Sequence, residues 1–317
     1  MTVLVPTFNR PEHLLAQALD SVVGQDYPYL EVIALDDGST NGTPAVLDRY
    51  ADANPGRFRT VRHDNMGQAR TLNRGFELAR GELVGYLADD DLLLPGAIAR
   101  LVQALCRVPD AVGAYPAFEV IDADGTVGHV VNPLEWSAAT ALRCHDPIVS
   151  VGALVRAEVA RAHPWDPDLA YTGDFDFWLR VGLTGRLVLV PEVLARHRSH
   201  PGSLTVAGHG DRRRVEDSLA VLDKLFARTD LPAEVRAARG SAYRAAFVTA
   251  AFQTTRTFYE PGDRYEVVDR LWEIAAERPA RDASAVGSLY GRLPKSVRRA
   301  ARRRAPRVLR RVWGRIR

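Results

Sequence analysis

Two periodicities alternate along the first hundred residues. Thr2 to Val5 is a short apolar run closed by Pro6, and from Pro11 to Val23 the residues Leu14, Leu15, Ala18, Leu19 and Val22 recur at helical spacing. That pattern predicts a strand, a turn and a helix. LEVIALDDGST at Leu30 to Thr40 runs from apolar residues into acids and a glycine turn, and the helix-compatible TPAVLDRYA follows. FRTVRH precedes a helix predicted over Gln68 to Ala79, and ELVGYLA precedes one starting near Pro95. Four such alternations predict an α/β fold with a mostly parallel central sheet covered by helices. Ligands gather beyond the carboxyl ends of strands in such sheets. Three of these ends carry Thr7 with Asn9, Asp36 with Asp37, and Asp89 to Asp91.

After Ala111 the pattern changes. AVGAYPAFEVIDADGTVGHVV reads as a β-ribbon turning at Asp122 to Gly125, and a loop is expected over Pro133 to Pro147. SVGALVR reads as a strand, the middle of GDFDFWLRVGLTG as a helix, and RLVLVPEVLARH as extended chain. From about Gly208 to Arg278 the chain is rich in Ala, Leu and Arg with helical periodicity. A C-terminal helical region is expected there.

At 317 residues and 46% hydrophobic composition the chain can bury one large core or two coupled ones. Cys106 and Cys144 supply neither a disulfide framework nor metal-ligand spacing, which suits a reducing compartment. The opening MTVLVPTFNRPE has no basic leader before a long apolar run, and no segment approaches about 18 uninterrupted apolar residues. A cytoplasmic location is expected.

The formal net charge of +3 conceals an asymmetry. Twelve of the 42 Lys and Arg residues lie between Gly291 and Arg317 with no acid among them, so the remaining 30 face 39 acids and the body is net −9. In the tail, Val297, Ala301, Ala305, Val308, Val312 and Ile316 are spaced by threes and fours, with Trp313 nearby. This suits an amphipathic segment on an anionic inner membrane surface, though a solvated tail or one docked on the acidic body fits the same residues. No zinc pattern or nucleic-acid module supports nucleic-acid binding.

The acids are the candidate chemistry. Asp36 and Asp37 before Gly38, Ser39 and Thr40 fit an ordinary strand-to-helix turn as well as an acceptor for donors on a base or ribose. Three adjacent carboxylates at Asp89 to Asp91 repel one another, and a hard divalent ion that also binds a diphosphate would relieve them. They also fit a plain helix start ahead of Pro95. Neither GxxxxGK[ST] nor GxGxxG is present, which argues against a P-loop ATPase and a nicotinamide enzyme. In GDFDFWLR, Asp176 and Arg180 are spaced to pair on a helix face, leaving Asp174 as an N-cap or a general base. His197, Arg198, His200, Ser203 and Thr205 form a polar patch after a strand.

Taken in order, VPTFNRP, LDDGSTNGT, HDNMGQARTLNRG, ARGELVGYLADDDLLLP, GDFDFWLR and HRSHPGSLT make the chain resemble a family 2 nucleotide-sugar glycosyltransferase of GT-A, Rossmann-like fold over residues 1 to 206. Periodicity and charge predict the helical region over 207 to 290 and the basic tail over 291 to 317, while the resemblance implies a nucleotide-sugar-binding half over 1 to 110 and an acceptor-side half over 111 to 206. It implies that Pro6, Thr7 and Asp37 line the base pocket, that Asn65 and Arg70 lie near the nucleotide, and that Asn9 and Asp89 belong to the donor site. It implies Mg²⁺ or Mn²⁺ on Asp90, with Asp91 and His200 in the candidate metal set, Arg198 near phosphate charge, and Asp174 as catalytic base of an inverting transfer.

Two departures stand out against that family's usual pattern. Ala88 replaces the leading acid of the triad, and Gly173 replaces the glutamate that often precedes the base. The expected partners are a nucleotide-diphosphate sugar and a saccharide or lipid-linked acceptor. A sugar-nucleotide nucleotidyltransferase and a catalytically silent nucleotide-binding scaffold are the alternatives.

Overall fold

A computed structural model describes residues 1–145, 148–200, 202–203, 212–246 and 249. The chain divides into two compact units. The first comprises Met1–Ser137, Pro147–Leu169 and Gly173–Ser203, and the second Ala138–Asp146, Ala170–Thr172 and Leu204–Arg317.

The first unit opens with four strand-helix repeats: β1 (Thr2–Thr7), α1 (Glu12–Val23), β2 (Glu31–Asp36), α2 (Thr43–Ala53), β3 (Phe58–Arg62), α3 (Gln68–Leu78), β4 (Leu83–Tyr86) and, after a short β5 (Leu92–Leu93), α4 (Ala97–Arg107). α1 buries Leu14, Leu15, Ala18, Leu19 and Val22, the stripe read from its spacing. β1 runs through Pro6 to Thr7 instead of stopping at the proline. Its pairing with β4 covers Thr2 to Leu4, so the missing Pro6 amide interrupts no bond on that side.

β6 (Ala111–Ile121) and β7 (Val127–Val131) form the expected ribbon. β8 (Leu154–Arg156), α6 (Ala157–Ala162), α7 (Gly173–Gly182) and β9 (Arg186–Arg198) complete the unit. Strand order is β3-β2-β1-β4-β8-β6-β9-β5, with β7 on β6. Pairing is parallel across β3-β2-β1-β4 and again between β6 and β9. β8 is antiparallel to both its neighbours, and β5 is antiparallel to β9. The mostly parallel character expected of the sheet is unbroken in its first half, where each strand returns through a helix. In the second half a strand reverses.

Two registers matter for function. Thr7 lies opposite Asp36, and Asp36 opposite Arg62, so the first strands end level with one another. Leu92 and Leu93 pair with Arg196 and Ala195, which draws the end of β9 alongside the acids that precede β5.

The second unit holds α5 (Ala138–Cys144), within the stretch expected to be a loop, and helices at Arg212–Phe226 and Ala233–Ala237. α5 is seven residues long, too short to register as a helical period. In this unit the buried Asp217 accepts hydrogen bonds from the Ala170 and Tyr171 amides at 2.7 and 2.9 Å. The basic tail and most of the expected C-terminal helical region lie outside the described residues. Among the described residues no helix is long and apolar enough to cross a membrane.

Candidate active site

The loop after β4 carries the three acids, and each has found its own partners. Arg10, just past the end of β1, reaches Asp89 Oδ1 from Nε and Nη2 at 2.7 Å each, and Asp90 Oδ2 from Nη1 at 3.1 Å. His200 lies with Nε2 2.8 Å from the same Asp90 oxygen. The Gly202 amide donates to His200 Nδ1 at 3.2 Å, which puts the imidazole proton on Nε2, facing Asp90. Asp91 accepts from the Arg198 amide at 2.8 Å and sits 3.2 Å from His197 Nδ1. Burial pushes the Asp89 and Asp91 carboxyls above their ordinary values, against the pull of Arg10 on the first and of His197 on the second. The bond to Asp91 raises His197 in turn.

Arg198 was expected at the phosphates, and its geometry corrects that placement. It is 1% exposed, and its guanidinium is consumed inside the protein. Nε donates to the Asp90 carbonyl at 2.9 Å, Nη1 to the Ala123 carbonyl at 2.9 Å, and Nη2 to Gln17 Oε1 at 2.7 Å. It fastens the acidic loop, the β6–β7 turn and α1 together. Asp91 has likewise been turned toward β9 by the Arg198 amide and His197, so it ties the loop and is not an open ligand.

Asp90 and His200 remain the candidate ligand pair. Among the described residues no three His, Cys, Asp or Glu side chains converge as a ready metal set. The 2.8 Å between Asp90 Oδ2 and His200 Nε2 nevertheless suits two adjacent ligands of a hard ion. His200 would give up its Nε2 proton to hold such an ion beside Asp90.

The loops after β1, β2 and β3 carry the residues expected near a nucleotide, and hydrogen bonds tie them together. Asp37 is buried, and its two oxygens accept the Met66 and Gly67 amides at 2.7 and 3.0 Å, capping the approach to α3. The Asn65 side chain donates to the Asp37 carbonyl at 2.9 Å. Gly38 has φ +79°, and a Cβ there would lie 2.6 Å from the Asn65 amide, so only glycine permits this approach. Asn9 accepts from the Thr40 amide at 2.8 Å while its own amide donates to Ser39 Oγ at 2.9 Å, bracing the β1 loop against the β2 loop. Pro6 and Thr7 are buried at the end of β1, with Thr7 beside Asp89, and Arg70 is exposed on the first turn of α3.

Asp174 stands half-buried in the first turn of α7, where its Oδ1 accepts the Phe175 amide at 2.7 Å. Its charge reaches both Tyr86 and His197: burial raises the Tyr86 phenol, and Asp174 and Asp91 add to the shift. Asp174 and Asp91 thus both lie close enough to Tyr86 and His197 to act on their charge.

Sequence reading missed three contributors. Arg10 lies in a noted motif, yet its partners are 79 residues away. Tyr86 and Trp165 looked like ordinary apolar residues. The Trp165 backbone is clamped by the Asn73 amide through bonds of 2.8 and 2.7 Å. Its ring meets Tyr86 edge-on at 5.4 Å and stacks on Phe177 at 5.7 Å. A Cβ on Gly173 would lie 2.9 and 3.1 Å from that indole, so the aromatic ring occupies the space a glutamate at 173 would need. Gly173→Glu is expected to cost about 1 to 3 kcal/mol of stability by forcing Trp165 from its stack. An unchanged urea midpoint would show that the ring yields freely. The foreseen Asp176–Arg180 pair is present at 2.7 Å.

Residues 2–138 match the family described as Glycosyl transferase family 2. An uncharacterized protein of Mycobacterium tuberculosis is 28% identical over 223 residues, covering 68% of this chain and 63% of that protein. An uncharacterized glycosyltransferase of Haemophilus influenzae is 28% identical over 213 residues, covering 63% of this chain and 65% of its own. The chain thus spans less than two thirds of the length of these relatives. Among solved structures, S. aureus TarS 1–349 in complex with UDP-GlcNAc superposes with a TM-score of 0.71 at 15% identity, over 90% of this chain and 83% of that one. A mannosyltransferase from Pyrobaculum calidifontis in complex with GDP-Man and Mn²⁺ superposes with a TM-score of 0.60 at 19% identity, over 99% and 87%.

Proposed function

From a chain whose residues 2–138 are a glycosyl transferase family 2 segment on a GT-A-like fold, we propose an enzyme that transfers a sugar from a nucleoside-diphosphate donor to an acceptor hydroxyl with inversion. The observation that supports this reading is that Asp174, on α7, and Asp91, on the acidic loop, act electrostatically on the same two groups, Tyr86 and His197.

In this reading the nucleotide lies over the loops after β1, β2 and β3, along Pro6, Thr7, Asp37, Asn65 and Arg70. Asp90 and His200 hold a Mg²⁺ or Mn²⁺ ion, which supplies positive charge for the leaving diphosphate. Asp174 takes the proton of the acceptor hydroxyl as that oxygen bonds to the anomeric carbon, and the bond from that carbon to the diphosphate oxygen breaks on the opposite face. One displacement inverts the anomeric centre and needs no protein nucleophile. A saccharide or lipid-linked acceptor suits the reading. The basic residues 291–317 would hold the enzyme on an anionic inner membrane surface near such an acceptor.

Asp90→Ala tests the donor half of this reading. Titration with UDP and GDP, each with and without Mn²⁺, is expected to show a metal-dependent gain in affinity that shrinks at least about tenfold in the variant. Curves that keep the full gain would remove Asp90 from the site.

A further inference from the structure

Arg10 and Arg198 both serve the acidic loop, but they are held very differently. Arg198 is 1% exposed and committed to backbone carbonyls and Gln17 as well as to the loop. The Arg10 side chain is 21% exposed and, among the described residues, pairs only with Asp89 and Asp90. Its backbone is fixed independently, since the Arg10 carbonyl accepts from Asn41 Nδ2 and Thr43 Oγ1 at 3.4 Å each. The root is therefore anchored while the guanidinium is free to leave. It also stands at a particular atom: Nη1 lies 3.1 Å from Asp90 Oδ2, the same oxygen that His200 meets at 2.8 Å.

Resting on the donor-site reading above, the geometry points to Arg10 as a displaceable counter-cation of that site, one that occupies Asp90 in the empty protein and must give way to a divalent ion. Two cations cannot share one carboxylate oxygen without strong repulsion, and repulsion of this kind is worth orders of magnitude in affinity at a partly buried site. Arg10 balances Asp89 and Asp90, two of the three adjacent acids. It also sets the threshold concentration at which an ion enters. The displaced guanidinium remains next to the site, as a planar fork suited to a diphosphate.

Mn²⁺ binding without nucleotide, followed by the electron paramagnetic resonance signal of the free ion, tests this directly. Arg10→Ala and Arg10→Gln are both expected to bind Mn²⁺ at least about tenfold more tightly than the parent, whereas general damage to the site would weaken binding. The glutamine variant keeps polar contacts to the acids, so it preserves the test if the alanine variant does not fold. Unchanged or weaker binding in a folded Arg10→Gln protein overturns the inference. Asp90→Ala in the same assay separates the two ideas. If it abolishes Mn²⁺ binding while the Arg10 variants match the parent, only the counter-cation role fails. If it leaves binding intact, the metal-site reading fails as well.

Discussion

Asp174→Asn is expected to lower sugar transfer by about a thousandfold or more while UDP or GDP affinity stays within about twofold. The amide keeps the size of the side chain and an oxygen able to accept the Phe175 amide at the start of α7, so the helix has little reason to move. It cannot take up a proton at neutral pH, and the acceptor hydroxyl then loses the base proposed for it. Asp174 belongs to α7 and not to the loops after β1, β2 and β3, where the nucleotide is proposed to lie, so binding should survive. Rates measured with saturating donor, alongside calorimetric titration of the nucleotide, decide the matter. Equal losses of rate and nucleotide affinity would sink the base assignment and make Asp174 a structural cap. A rate within a few fold of the parent would remove it from the chemistry altogether.

Arg198→Met should cost about 3 to 5 kcal/mol of stability, a loss of the size that follows breaking a buried charged network on one side. Methionine fills similar space but leaves the Asp90 and Ala123 carbonyls and Gln17 Oε1 without their donor. The Arg198 amide on Asp91 would persist, so the defect is in the guanidinium and not in the strand pairing. The exposed Arg49, paired with Glu12 on the surface, supplies the control: Arg49→Met should change stability by less than about 0.5 kcal/mol. Urea unfolding of both variants reads the difference. A loss below about 1 kcal/mol for Arg198→Met would mean that its bonds are easily replaced by water, and would return Arg198 to the phosphate role expected from its place in the chain.

These two residues also show where sequence reading reaches its limit. Asp174 was singled out because its neighbours Asp176 and Arg180 pair with each other as their spacing predicts, which left it as an N-cap or a general base, and the resemblance pointed to the base. Arg198 follows a strand in a polar patch, and nothing local says whether its side chain turns out to solvent or inward. The antiparallel β5–β9 register turns it inward, by setting the end of β9 against the acidic loop. β5 itself is two residues long and carries no periodicity of its own. Asp91 follows the same logic, since its partners are 106 and 107 residues distant.

Gly173 is the reverse case. From sequence it is a missing carboxylate, a gap in a familiar pair. In the fold it is a space requirement, because Trp165, clamped by Asn73 on α3, lies where any side chain at 173 would begin.

By itself the sequence determined the strand and helix alternation of the first half, the strand ends at which acids collect, and the identity of Asp174 and Asp90 as the residues to test. All of these depend on local periodicity, turn chemistry and motif order, which are written within a dozen or so residues. Only the tertiary structure decided how three adjacent carboxylates coexist. Arg10 pairs with Asp89, while His197, the Arg198 amide and His200 meet Asp91 and Asp90, and these partners lie 79 to 110 residues away. Side-chain direction and burial at that range are set by sheet register and packing, and neither leaves a signature in the neighbouring residues.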